Sequence, residues 1–274
     1  MPPLAIPYPT IDPVALWIGP LPLRWYALAY IAGLIAGWFY ARKLVGWDKL
    51  WGAVARPGAD SLDDLLVYCA LGVVLGGRLA YVVFYNPLFF AARPQEIVMV
   101  WNGGMSFHGG LAGAALGVWL FARKNALPVM PVADICCSVA PIGLLLGRFA
   151  NFIKPELWGR PTNVPWAMIF PGAGPLPRHP SQLYEAGLEG VVLFLILFVA
   201  GRSGAFRRPG TISGIFAIGY AAARVFCEFY REPDPQLGFL FGDATMGMLL
   251  SAPLALVGAA LLATRKAKAP TAAP

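Results

Sequence analysis

The apolar positions of this chain run in long unbroken stretches, without the short periods of a water-soluble fold. Seven segments approach the roughly 20 mostly apolar residues that a membrane-spanning helix needs: residues 25–41, 62–85, 105–122, 132–153, 181–200, 211–230 and 242–263. Polar and charged residues collect between them. The pattern predicts an all-α, polytopic membrane protein with about seven transmembrane helices. It forms a single transmembrane domain over residues 1–264, followed by a basic, disordered tail at 265–274. The stretch 154–180 is rich in Pro and Gly yet holds Trp158, Trp166 and Phe170. Aromatic side chains favour the membrane interface, so this loop is expected to pack at the membrane surface or over a site. No long internal repeat of the kind found in many transporters is visible.

The connecting segments alternate in charge, and that gives an orientation. Arg42, Lys43, Lys49, Arg56, Arg123, Lys124, Arg202, Arg207, Arg208, Arg265, Lys266 and Lys268 follow the odd-numbered segments, against Arg24, Arg93, Lys154, Arg160, Arg178 and Arg231 on the opposite side. The positive-inside rule then places the N-terminus outside and the C-terminus in the cytoplasm. Residues 1–10 lack a basic region and carry Pro2, Pro3, Pro7 and Pro9. No cleavable signal peptide is expected, and the first long apolar segment serves as its own insertion signal.

Composition changes the picture in one respect, by excluding other classes. Hydrophobic residues make up 58% and charged residues 13%, against about 25% charged in a soluble domain. The net charge is +7, but no basic stripe with interleaved aromatics appears, which argues against nucleic acid as a partner. Cys69, Cys136, Cys137 and Cys227 all fall within apolar segments and none forms a CxxC pair; they read as packing residues. With only His108 and His179 and no HExxH, no metal site is expected.

The informative residues are the charges inside the spans. Arg78, Arg148 and Arg224 lie within or at the edge of apolar segments. Each costs roughly 2.5–3.5 kcal/mol at mid-helix on the insertion scale. Glu185, Glu189 and Glu228 are similar cases. Arg78 is open to two readings, a neutralising ion pair between helices or a functional group. Arg224, Glu228 and Arg231 stand at i, i+4 and i+7 and share a helix face; Arg148 and Asn151, at i and i+3, share another. One Glu between two Arg leaves a surplus of positive charge, and a buried surplus requires an anion. In a bilayer the abundant anion is a lipid phosphate, which Arg grips through planar, forked hydrogen bonds. Gly109, Gly113 and Gly117 recur every fourth residue and let a neighbouring helix approach closely. His108, at the head of that stripe, is either a packing donor or a catalyst.

Several motifs resemble those of the prolipoprotein diacylglyceryl transferase family. His108-Gly-Gly-Leu-Ala-Gly113 is similar to its His-Gly-Gly-Leu motif, and Gly147-Arg-Phe-Ala-Asn-Phe-Ile-Lys-Pro-Glu-Leu-Trp-Gly159 resembles its signature. The signature's required Arg, Asn, Glu and Gly fall on Arg148, Asn151, Glu156 and Gly159. Further matches are Ile11-Asp-Pro-Val14, Arg24-Trp-Tyr26, Gly76-Gly-Arg78, His179-Pro-Ser-Gln-Leu-Tyr-Glu185 and Arg224-Val-Phe-Cys-Glu-Phe-Tyr-Arg-Glu-Pro-Asp234, in the family's order across nearly the whole chain. Lys154 departs from the pattern, standing where the family carries Asn or another small polar residue, and Ala112 replaces a usual Gly.

The resemblance implies transfer of the sn-1,2-diacylglyceryl group from phosphatidylglycerol to the lipobox cysteine of a prolipoprotein signal peptide. The reaction releases glycerol 1-phosphate at the bacterial cytoplasmic (inner) membrane. For that displacement His108 is the base candidate, with Tyr26 as its partner, and Arg148 and Arg224 are the candidates for binding the phosphate or, either of them, for depressing the thiol pKa through space. Asn151 would bind the headgroup, Glu156 would orient an arginine, and Glu228 would pair with Arg224. Glu185 and Arg231 would complete the arginine network, and Gly159 would give close backbone approach. No metal or organic cofactor is required. The rival reading is a transporter or flippase for an anionic lipid or solute, which uses the same arginines without a nucleophile. Other lipid enzymes fit less well. The DGxxAR pattern is absent, and Gly113 stands where HxxxxD would place its Asp after His108.

Overall fold

A computed structural model describes residues 5–233, 239–240, 242 and 244–264; the tail at 265–274 lies outside the described residues. Among these, every one of the seven apolar segments becomes a helix: α1 Trp25–Val45, α2 Leu62–Phe84, α3 Phe107–Lys124, α4 Val129–Ile153, α5 Ser181–Arg202, α6 Thr211–Glu228 and α7 Met246–Thr264. Five, namely α1, α2, α4, α5 and α7, are long and apolar enough to cross a membrane. The other two are less apolar for a chemical reason. α3 carries His108, its glycines and a basic end at Arg123 and Lys124, and α6 carries Arg224 and Glu228 among Ser and Gly residues. Each still has 18 residues, or about 27 Å of helix.

The helix pairs follow side-chain size. α2 and α3 approach backbone to backbone, because Gly72 and Gly76 meet Gly109 and Gly113, and Gly117 meets the backbone of Tyr68 and Cys69. A Cβ on Gly113 would lie 1.9 Å from the Gly72 carbonyl oxygen. The Gly stripe read from the sequence therefore has α2 as its neighbour. Beside that contact on α2, Leu71, Leu75, Leu79 and Val83 form an exposed apolar row at four-residue spacing, suited to acyl chains.

The two ends of the bundle differ. At one, Trp51, Phe121, Val132, Ile135, Leu193, Phe206 and Ile212 form an apolar core. Buried Asp134 there caps α6, accepting from Gly210 N and Ser213 N at 2.8 Å and from Ser213 Oγ at 2.7 Å. At the other, the chain adds short strands to the all-α plan. β1 (Ile6–Pro7) pairs in parallel with β4 (Met168–Ile169), and β2 (Val14–Ile18) pairs antiparallel with β3 (Leu21–Arg24). The Tyr8 hydroxyl donates to the carbonyls of Phe152 (2.6 Å) and Ile153 (3.0 Å), and its ring packs on Phe152 and Phe170. Residues 154–180 thereby fold over the ends of α4 and α6, tied down by Arg160 N to Tyr230 O at 2.8 Å.

Candidate functional site

The end of α4, the start of α5 and the end of α6 converge beneath that loop, and each contributes charge. Arg148 of α4 donates to Glu189 Oε2 from Nη2 (3.1 Å) and Nε (3.3 Å), and its Nε also lies 3.1 Å from Glu185 Oε2. Arg224 of α6 donates from Nη1 to Glu185 Oε1 at 2.8 Å, stands 3.8 Å from Glu189 Oε1, and pairs closely with Glu228. Arg231, just past the end of α6, reaches the same Glu185 Oε1 at 3.3 Å. Glu185 and Glu189 are fully buried. Directly after Glu185 α5 widens into a π-helix over Ala186–Val192, which carries Glu189, a geometry that recurs at functional sites. Arg148 and Arg224 keep exposed edges, 15% and 14% of their side chains.

α7 completes the cluster. Thr245 Oγ1, just ahead of it, donates to Glu228 Oε2 at 2.6 Å. A side chain at Gly247 would collide with Glu228 and crowd Arg224, so glycine is what lets α7 close on this pair.

The sequence expectation of surplus positive charge is corrected here. Among the described residues three arginines meet three carboxylates, because α5 presents Glu185 and Glu189 one turn apart toward both Arg148 and Arg224. Counting only α6 had left out these partners from a different helix. Glu189, not assigned to the site from the sequence, is therefore part of it; its i+4 spacing from Glu185 was the available signal.

A second group lies beside the first. Glu156 folds back after α4, its N–H donating to Asn151 O at 3.1 Å. Its carboxylate accepts from Asn151 Nδ2 at 2.8 Å and pairs with Lys154 at 2.7 Å. Glu156 thus orients Asn151, where an arginine had been expected; the chain reversal at Lys154 and Pro155 brings it onto its own helix end. The Lys154 ammonium lies 5.9 Å from the Tyr26 ring centre, and Tyr26 Oη is 3.5 Å from Tyr30 Oη.

Gly159 is boxed in by backbone. A Cβ there would fall 2.5 Å from His179 O and 2.6 Å from Tyr230 O, while its N–H donates to His179 O at 2.9 Å. Arg160, next to it, donates to the carbonyls of Arg231 (2.9 Å) and Glu228 (3.1 Å), which neutralises the exposed carbonyls at the end of α6. Burial lowers the pKa of His179, and its Nδ1 lies 3.0 Å from Tyr184 Oη. His108 enters from a different helix, exposed near the start of α3, and α3 packs against both α2 and α4.

Spanning helices that enclose a buried arginine–glutamate cluster at one end define a multi-pass membrane protein with an ionic site. Comparison with known proteins narrows the class. The family model described as prolipoprotein diacylglyceryl transferase matches residues 13–264. Proteins named phosphatidylglycerol–prolipoprotein diacylglyceryl transferase are similar along almost their whole length. That of Methylocella silvestris is 67% identical, covering 95% of this chain and 96% of the relative. That of Beijerinckia indica is 62% identical, covering 93% and 94%. That of Rhodopseudomonas palustris is 56% identical, covering 96% and 93%. The chain belongs to the prolipoprotein diacylglyceryl transferase family and is a transferase.

Proposed function

We propose that this chain transfers the sn-1,2-diacylglyceryl group of phosphatidylglycerol to the lipobox cysteine thiol of a prolipoprotein. It acts as a seven-span protein of the bacterial inner membrane, with its N-terminus outside and its C-terminus in the cytoplasm. The observation that carries this reading is the pair Arg148 and Arg224, each clamped by buried carboxylates yet open along one edge. Clamping fixes the two forks before substrate arrives, and fixed donors stabilise charge without reorganising.

In the reaction the cysteine sulfur attacks the primary glyceryl carbon. A C–S bond forms, the C–O bond to phosphate breaks, and the bonding electrons leave on the phosphate oxygen. Glycerol 1-phosphate departs with one more negative charge than the diester carried. Arg148 and Arg224 receive that charge. A free thiol has a pKa of about 8.5 and is mostly protonated at neutral pH, so His108 takes the proton, with Tyr26 assisting. Asn151, held by Glu156, binds the headgroup. Glu185, Glu228 and Arg231 hold the arginines in place, and Gly159 lets the covering loop close on the end of α6.

Purified protein in detergent, supplied with phosphatidylglycerol and a lipobox peptide, is expected to release glycerol phosphate and alkylate the peptide. Arg148→Ala and Arg224→Ala each abolish transfer while the protein still inserts and accumulates. Lipid binding without glycerol phosphate release would instead favour the transport reading, and full activity of either variant would remove the arginines from the mechanism.

A further inference from the structure

Arg78 has no carboxylate among its described partners, and it is buried. Its five N–H groups are all spent on backbone carbonyls of one segment. Nε donates to Ile97 O (2.9 Å), Nη2 to Glu96 O (2.6 Å) and Met99 O (3.2 Å), and Nη1 to Gly104 O (2.9 Å) and, closer still, to Gly103 O. The ring of buried Phe90 covers its guanidinium at 5.2 Å. A guanidinium with every donor engaged and a ring over its face has nothing left for a phosphate. The ion-pair reading is excluded in the same way, because the acceptors are peptide groups.

What Arg78 holds leads straight to His108. Gly103 and Gly104 have positive φ, and Gly104 lies against the Tyr81 ring and Arg78 Nη1. Two residues on, Ser106 N donates to Gly77 O at 2.9 Å, the residue before Arg78, and Ser106 Oγ caps α3 by accepting from Gly109 N at 3.3 Å. His108 sits between that cap and the Gly76–Gly109 backbone contact. The helix start carrying the imidazole is thus pinned to α2 on both sides, and the chain entering it is gripped by the next residue of α2.

We propose that Arg78 is a positioning residue for the transfer reaction: it clamps residues 96–104 to α2 and so fixes His108 over the reacting sulfur. The proposal rests on the transferase reading above. Lysine keeps the charge but offers three donors from a point, and cannot span five carbonyls. Gly104→Ala disturbs the same clamp from the other side with Arg78 intact.

The test compares Arg78→Lys and Gly104→Ala with the unaltered protein in detergent. It measures phosphatidylglycerol binding, kcat per lipid-binding site, and hydrogen exchange of residues 94–105. Both variants are expected to bind phosphatidylglycerol with unchanged affinity and KM and to exchange faster in 94–105. kcat per binding site should fall by about 100-fold, the scale of an ångström-sized misplacement of a reacting group. Unchanged kcat per binding site, or lipid affinity falling in step with kcat, would overturn the proposal; a merely structural role lowers the number of binding sites and leaves each at full rate. Absence of transfer by the unaltered protein overturns the function, and the exchange measurement still reports on the clamp by itself.

Discussion

Replacing Glu185 by Gln removes the one carboxylate that three arginines share, at nearly unchanged volume. Arg148, Arg224 and Arg231 lie 3.1, 2.8 and 3.3 Å from its oxygens, and it is fully buried. Among the described residues, the balanced cluster becomes one charge positive. Removing one partner of a buried ion pair costs about 3–5 kcal/mol because the remaining charge is uncompensated. At roughly 2–4 °C per kcal/mol for a chain of this size, thermal unfolding in detergent should fall by roughly 6–20 °C. Saturating phosphatidylglycerol should then restore more stability to the variant than it adds to the unaltered protein. Its phosphate replaces the missing charge, and a ligand that binds only the folded state stabilises it by mass action. The assay is thermal unfolding of both proteins across a phosphatidylglycerol titration, with a zwitterionic lipid as control. Unfolding within about 2 °C of the unaltered protein, a small fraction of the shift expected from the buried pair, would refute the reasoning. So would equal stabilisation of both by the anionic lipid.

Two further outcomes follow from the same geometry. His108→Gln should lower kcat with KM for phosphatidylglycerol unchanged, as single-turnover transfer to the peptide would show; strong residual activity would leave His108 a positioning role only. Gly113→Ala places a Cβ 1.9 Å from Gly72 O, so α2 and α3 must separate by more than an ångström. The folded fraction recovered in detergent should drop sharply, whereas Gly143→Ala, where an added Cβ meets nothing within 4 Å, should behave as the unaltered protein.

The helices were legible in the sequence because a bilayer imposes length and apolarity on every span, and both can be read without neighbours. The Gly stripe of α3 was legible as a close-approach surface, and its partner, Gly72 and Gly76, only from the fold. Arg148 and Arg224 stood out because a charge in an apolar run is conspicuous wherever it points. The charge balance was not legible. It depends on which helix faces which, and the face of α6 alone showed two Arg around one Glu while the answering carboxylates sat about 40 residues earlier in the chain. Glu156 misled for the opposite reason: its partner was local, five residues back, through a chain reversal that no periodicity announces. Arg78 was ambiguous because its acceptors are peptide carbonyls, which every residue carries and no sequence displays.

On the proposed function, a balanced cluster also answers how arginines can wait in a membrane for an intermittent substrate. An unpaired guanidinium at that depth is costly, and one pair would hold each arginine only along a line. Here Glu185 and Glu189 approach Arg148 and Arg224 from α5, while Glu228 closes on Arg224 from its own helix, so each fork is fixed on its inner side with an outer edge left open. The pairing is incomplete where it matters. Glu189 Oε1 has no hydrogen-bond partner among the described residues and faces Arg224 only at 3.8 Å. On that reading, an incoming phosphate that hydrogen-bonds both forks would compete with the weakest contact in the cluster, and the stronger contacts would keep the arginines from following it when it leaves.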